Sequence, residues 1–135
     1  MNEWTIGNVL KEQVADSMKR TFSDEEKILN HISFLLQEVD VKVTEENSMI
    51  VEYETKKYAT YLIENKKLYV VMNSFDDEKA TLTIYSKVKE LRINSIINDK
   101  GYNTIESIEL DNVKITRSKN NLNFEKFIKT ALKTF

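Results

Sequence analysis

The chain is 135 residues long, 41% hydrophobic and 31% charged, with a net charge of −2, one histidine, two glycines, no cysteine and no proline. That length suits a single domain over residues 1–135, large enough to bury a core without disulfide or metal support. Missing cysteine excludes disulfides, thiolate metal sites and thiol nucleophiles, and two isolated glycines (Gly7, Gly101) exclude a glycine-rich phosphate loop.

Charge is uneven along the chain. Residues 1–50 hold ten acidic and five basic side chains, and the remainder holds twelve acidic and fifteen basic. Lysine outnumbers arginine seventeen to three, and asparagine and isoleucine are abundant, a bias that AT-rich codons produce. The expected origin is a low-GC bacterium, or a phage or mobile element within one. Glu3, Lys11, Glu12 and Asp16 interrupt the first twenty residues, so no leader-type apolar stretch stands there. The longest apolar run, Leu68 to Met72, is five residues, against the roughly 20 that a membrane-spanning helix needs. A soluble cytoplasmic protein without a membrane span is expected.

In chain order, Ile6, Val9, Leu10, Val14 and Met18 recur at helical spacing and predict a first helix over Thr5–Arg20. Ser23-Asp-Glu-Glu26 forms a capping box, with acidic residues at the positive end of the helix dipole. It opens a second helix whose stripe is Ile28, Leu29, Ile32, Leu35 and Leu36, ending near Glu38. From Val39 to Ser118 the period changes to two, and turn residues recur at roughly ten-residue spacing. Strands are predicted near 39–45, 49–55, 58–64, 67–73, 80–86, 90–97, 105–110 and 113–118. Met49/Val51/Tyr53 against Ile50/Glu52/Glu54 implies one core face and one wetter face. Leu68–Met72 is apolar on both faces and belongs in a strand that is central or covered twice. With so little glycine, asparagine and aspartate must supply left-handed turn residues. Asn123 is the expected N-cap of a last helix, with Leu122 stapled on Phe127. The apolar stripe of that helix, Phe124, Phe127, Ile128, Ala131, Leu132 and Phe135, must pack on the sheet or on a partner. The fold class is α+β: two N-terminal helices, an antiparallel β-meander of about six to eight strands, and a C-terminal amphipathic helix packed on the sheet.

No constellation for catalysis, a cofactor or a metal emerges, and the chain reads as a non-enzyme. His31 borders an apolar stripe without a nucleophile or orienting group at helical spacing. Asp24–Glu26, Glu45–Glu46 and Asp76–Glu78 fit helix capping and turns, and none has the alternating spacing of a calcium loop. Tyr53, Tyr58, Tyr61, Tyr69 and Tyr85 fit cross-strand packing. The positive signals are two. Lys126, Lys129 and Lys133 share one face of the last helix, within a segment (112–135) of six basic residues and one acidic. Trp4 is an aromatic of the type enriched where proteins bind. These four residues are the candidate partner-binding set.

The segment Ile105–Phe135 is similar to the closing hairpin and C-terminal helix of pleckstrin-homology-like domains, which implies a seven-stranded alternative architecture. Three functions follow. The first is a protein-binding module of the inhibitor, immunity, chaperone or adaptor type, with another protein as partner. The second is a pleckstrin-homology-like or half-barrel domain holding a peptide, lipid or small ligand. The third is nucleic-acid binding through the basic helix. A homodimer, pairing sheet edges across a two-fold axis, is compatible with any of them.

Overall fold

The computed structural model describes residues 22–74, 79–117 and 124–135, with side chains from Lys27 onward in the first of these. Helix α1 (Phe22–Glu38) leads into a four-stranded sheet, β1 (Ser48–Glu54), β2 (Lys57–Glu64), β3 (Lys67–Ser74) and β4 (Thr81–Tyr85). A three-stranded sheet follows, β5 (Leu91–Ile97), β6 (Asn103–Leu110) and β7 (Val113–Thr116), and then helix α2 (Phe124–Thr134). All pairings are antiparallel between sequence neighbours. The α+β class with a C-terminal helix on the sheet holds. Among the described residues one helix, not two, precedes the strands, and the predicted helix over Thr5–Arg20 lies outside them. So do Asn123, Leu122 and the capping-box side chains Ser23 and Glu26.

The four-stranded sheet is covered on both faces. Ile28, Leu29, Ile32 and Leu36 of α1 pack on Ile50, Tyr58, Leu62, Tyr69 and Val71. Beneath the opposite face, Met49, Ile63, Leu68 and Val70 meet Ile108, Leu110 and Ile115 of the three-stranded sheet and Phe124, Phe127, Ile128 and Ala131 of α2. Each of the larger aliphatic and phenylalanine side chains among them contributes about 1.5–3 kcal/mol on burial. The double cover corrects the reading of β1: Met49 and Ile50 lie on opposite faces and both are buried, so the strand is wet only at its far end. It also accounts for the central place of β3, between β2 and β4.

The strand expected at 39–45 does not form. Asp40 takes a left-handed φ of 51° and ends the helix, and its amide donates to the Gln37 carbonyl. Val41 and Val43 are buried in the α1 core, as their apolar character required. Their neighbours' backbone groups are taken by side chains instead of a ladder. The Lys42 amide donates to the Glu64 carboxylate, its carbonyl accepts from Asn47 Nδ2, and the Thr44 amide donates to Asn47 Oδ1. The meander is therefore seven strands in two sheets among the described residues.

Turns bear out the shortage of glycine. Asp40, Asn65 and Asp111 have positive φ, and so do Lys66 and Lys56, whose amide donates to the Glu52 carboxylate at 3.2 Å. At Asn98–Gly101 the Asn98 carboxamide accepts from the amides of Lys100 and Tyr102, and Gly101 (φ 83°) closes the turn by donating to the Asn98 carbonyl.

Candidate functional site

The three-stranded sheet buries half of itself and exposes the rest. Ile108, Leu110 and Ile115 are buried, whereas along β5 Ile93 is 43%, Ile96 46% and Ile97 71% exposed, with Tyr102 at 67% across the turn. Three isoleucines and a tyrosine within ten residues form the largest cluster of exposed apolar side chains near one strand among the described residues. The cause is geometric. Between Asn94 and Ser95 the β5–β6 register shifts, leaving Glu106 as an extra residue in β6. Such a bulge bends the strands, and the hairpin from Ser95 to Asn103 runs past the edge of the core.

Three polar arrangements hold this strand in place. The Asp111 carboxylate accepts from the amides of Lys89 and Glu90 at 3.0 and 2.9 Å, fixing the chain just before β5. Asn94 Nδ2 donates to Ser107 Oγ and to the Glu109 carboxylate, both at 3.0 Å, locking the middle of β5 to β6. Arg117 donates through Nε to the Ile105 carbonyl at 2.8 Å, pairs with Glu125, and places its guanidinium 4.8 Å from the Phe124 ring centre. That triple role ties the far end of β6 to the start of α2. Between them opens a cleft of about 310 Å³ lined by Ser95, Asn103, Thr104, Ile105, Arg117 and Glu125.

The outer side of β5 is an open edge: among the described residues it pairs with β6 alone. Asp111 N donates to the Glu90 carbonyl and Asn98 N to the Tyr102 carbonyl. Alternation then turns the backbone groups of Glu90, Arg92, Asn94, Ile96 and Asn98 toward β6. Leu91, Ile93, Ser95 and Ile97 accordingly direct their N–H and C=O groups outward. An edge of this kind is a template for another strand.

A second cleft, about 320 Å³, opens at one end of the four-stranded sheet, lined by Tyr53, Lys57, Met72, Asn73, Ser74, Lys79 and Thr81. Lys57 hydrogen-bonds and pairs with Glu54 at 3.1 Å, which raises its pKa above the ordinary lysine value. Nearby on the same sheet Tyr61 is raised above 10.0, chiefly by burial and then by Tyr53 and Tyr85.

The sequence-derived candidates fall elsewhere. Lys126, Lys129 and Lys133 are exposed along α2, as the helical spacing required. However, Lys126 reaches Glu45 at 3.1 Å and the Thr130 hydroxyl donates to the Glu46 carbonyl, so an acidic loop borders that face. Trp4 lies outside the described residues. His31 is half-buried on α1. Among the tyrosines, Tyr58 is fully buried and donates to Glu52 at 2.6 Å, Tyr69 is buried, and Tyr53 is exposed. The β5 edge went unread because its aliphatic residues, Leu91, Ile93, Ile96 and Ile97, are of the kind that fill a buried strand such as Leu68–Met72. Among the described residues, no three His, Asp or Glu side chains gather as a metal site, and no helix is long and apolar enough to cross a membrane. Neither a protein-family model, nor a curated protein, nor a solved structure matches the chain.

Proposed function

We propose that this protein is a non-catalytic protein-binding module that takes up an extended segment of another protein on the open edge of β5. What carries the reading is the coincidence, on one seven-residue strand, of outward backbone groups and exposed isoleucines. A strand added there gains main-chain hydrogen bonds from Leu91, Ile93, Ser95 and Ile97, and its side chains lie alternately beside Ile93 and Ile97 or beside Ile96. Tyr102 adds rigid aromatic area of the kind that concentrates binding energy. The cleft at Ser95 and Arg117 offers room for one polar side chain of the incoming segment.

Seven strands followed by a C-terminal helix is the count that the likeness to pleckstrin-homology-like domains implies, and a peptide is among the ligands which that alternative carries. The space between the sheets is filled by Met49, Leu68, Val70, Phe124 and Phe127, so room for a ligand is at the rims. The Glu45–Lys126 pair weakens the alternative of nucleic-acid binding, because it places carboxylates beside the lysine face. Cytoplasmic inhibitor, immunity, chaperone and adaptor roles all fit the proposal.

The test is site-specific photo-crosslinking in the host cell, with the probe at Tyr102 or, as a control, at Thr81. One protein joined through position 102 and not through 81, and lost on Ile96→Asp, is the expected result. The same proteins from both positions, or none from position 102, would overturn the proposal.

A further inference from the structure

We propose that α1 is a hinged cover: it lifts off the four-stranded sheet about Asp40 while both sheets and α2 stay folded, and two buried polar groups beneath it set how readily it lifts. α1 lies on the face of that sheet away from the three-stranded one, so the motion is independent of what β5 binds.

The cover is incomplete at two atoms. Thr60 stands on the α1 face of β2, in line with Tyr58 and Leu62, and Asn73 on the α1 face of β3, in line with Tyr69 and Val71. Thr60 is 1% and Asn73 5% exposed, yet Thr60 Oγ1 and Asn73 Oδ1 have no hydrogen-bond partner among the described residues. Their neighbours explain it. Thr60 is flanked across the strands by Ile50 and Val71, and the buried side chains of α1, Ile28, Leu29, Ile32 and Leu36, are apolar. Asn73 faces Tyr58, whose hydroxyl donates to Glu52 at 2.6 Å. Asn73 Nδ2 donates to the Ile28 carbonyl over a long 3.4 Å, and the ladder of α1 uses that carbonyl as well. A buried polar atom without a partner favours any state in which water reaches it, on the order of tenfold per atom. Lifting α1 hydrates both at once.

The joint is equally marked. Asp40, at φ 51°, ends the helix. Beyond it the chain is fastened down: the Lys42 amide donates to the Glu64 carboxylate, Asn47 Nδ2 to the Lys42 carbonyl at 2.8 Å, and Ser48 Oγ to the Thr44 carbonyl at 2.6 Å. A hinge needs only such a short stretch of free torsions between two fixed bodies. α2 is seated differently. Arg117 pairs with Glu125 and lies over Phe124, and the Thr130 hydroxyl donates to the Glu46 carbonyl. Polar contacts reinforce the seat of α2, whereas beneath α1 they are left incomplete. The lifted form bares the apolar floor of Ile50, Leu62, Tyr69 and Val71, which the closed form hides.

Native-state hydrogen exchange of the full chain, followed by NMR in rising sub-denaturing urea, tests this. The amides of Ile32 and Leu36 are expected to share one urea-dependent opening and to exchange faster than those of Val70 and Val71 in β3. Thr60→Val keeps the shape of the side chain and removes the hydroxyl, and should slow the α1 amides on the order of tenfold. Should Thr60→Val fail to fold, Asn73→Leu is the second variant, with the same expected direction. α1 amides that exchange no faster than those of β3, or that open without urea dependence, overturn the proposal. A folded variant whose α1 amides exchange as fast as wild type, or faster, overturns it too. Crosslinking through position 102 is unaffected by either result.

Discussion

β3 and β5 are strands of nearly equal length and similar aliphatic content, and they meet opposite fates. In β3, Leu68, Tyr69, Val70 and Val71 are all buried, with a strand on either side, α1 above and α2 with the second sheet below. In β5, Ile93, Ile96 and Ile97 are exposed, and among the described residues the strand is paired on one side only. Composition makes both segments extended, since β-branched side chains fit a pleated surface. Their difference in burial comes from what the chain places beside them. An apolar strand that the rest of the fold leaves open is where a partner is to be sought.

The comparison can be broken from its buried side first. Phe127 is fully buried between α2 and the four-stranded sheet, with its ring centre 6.5 Å from that of Tyr61. Phe127→Ala should cost about 3–5 kcal/mol in urea unfolding; a loss below about 1 kcal/mol would mean that the junction of the two sheets does not hold the domain together. Next comes the turn that carries the exposed hairpin. Gly101→Ala forces an L-residue into a φ of 83° and meets no atom within 4 Å, so its cost is purely conformational, about 1–2 kcal/mol. An unchanged stability would show that the hairpin rearranges freely.

On the exposed side, Ile97→Ser should change the stability of the monomer by no more than about 0.5 kcal/mol while abolishing crosslinking at position 102. A larger destabilisation would place Ile97 inside the folded unit and remove it from the edge. The smallest effect is confined to high pH. Because Tyr61 has its pKa raised on folding, the folded state resists ionisation that the unfolded chain accepts near 10.0. The stabilisation this represents is intact below pH 10 and is lost as pH rises further. Melting temperatures between pH 9 and 11 should fall less steeply for Tyr61→Phe than for wild type; equal slopes would show that Tyr61 titrates as freely as an exposed tyrosine.

Much of the architecture was legible in the residues. The stripe Ile28, Leu29, Ile32, Leu36 set the second predicted helix and its end at Glu38, and the Phe124–Ala131 stripe set the last helix and its burial, because helical period alone defines one apolar face. Seven of the eight predicted strands form, with ends shifted by a few residues. The eighth failed at Val41 and Val43, which are buried as loop residues: burial demands apolar side chains whatever the backbone does, and here Glu64 and Asn47 supply the hydrogen bonds that a partner strand would have given. The β5 edge was not legible, and the sequence pointed instead to charges on the last helix. Lys126, Lys129 and Lys133 do lie exposed on one helix, but the Glu45 that pairs with Lys126 is far away in sequence, and no local pattern announces it.

The sequence by itself determined the α+β class, both described helices, the central place of Leu68–Met72 and the turns at Asn65, Asn98 and Asp111, since each follows from periodicity or from local backbone preference. Tertiary structure alone decided that the meander splits into two sheets, that β1 is covered on both sides, and that β5 keeps an open edge among the described residues. These outcomes depend on which elements meet across the fold, and hydrophobic burial, being non-directional, does not encode that pairing in any one segment.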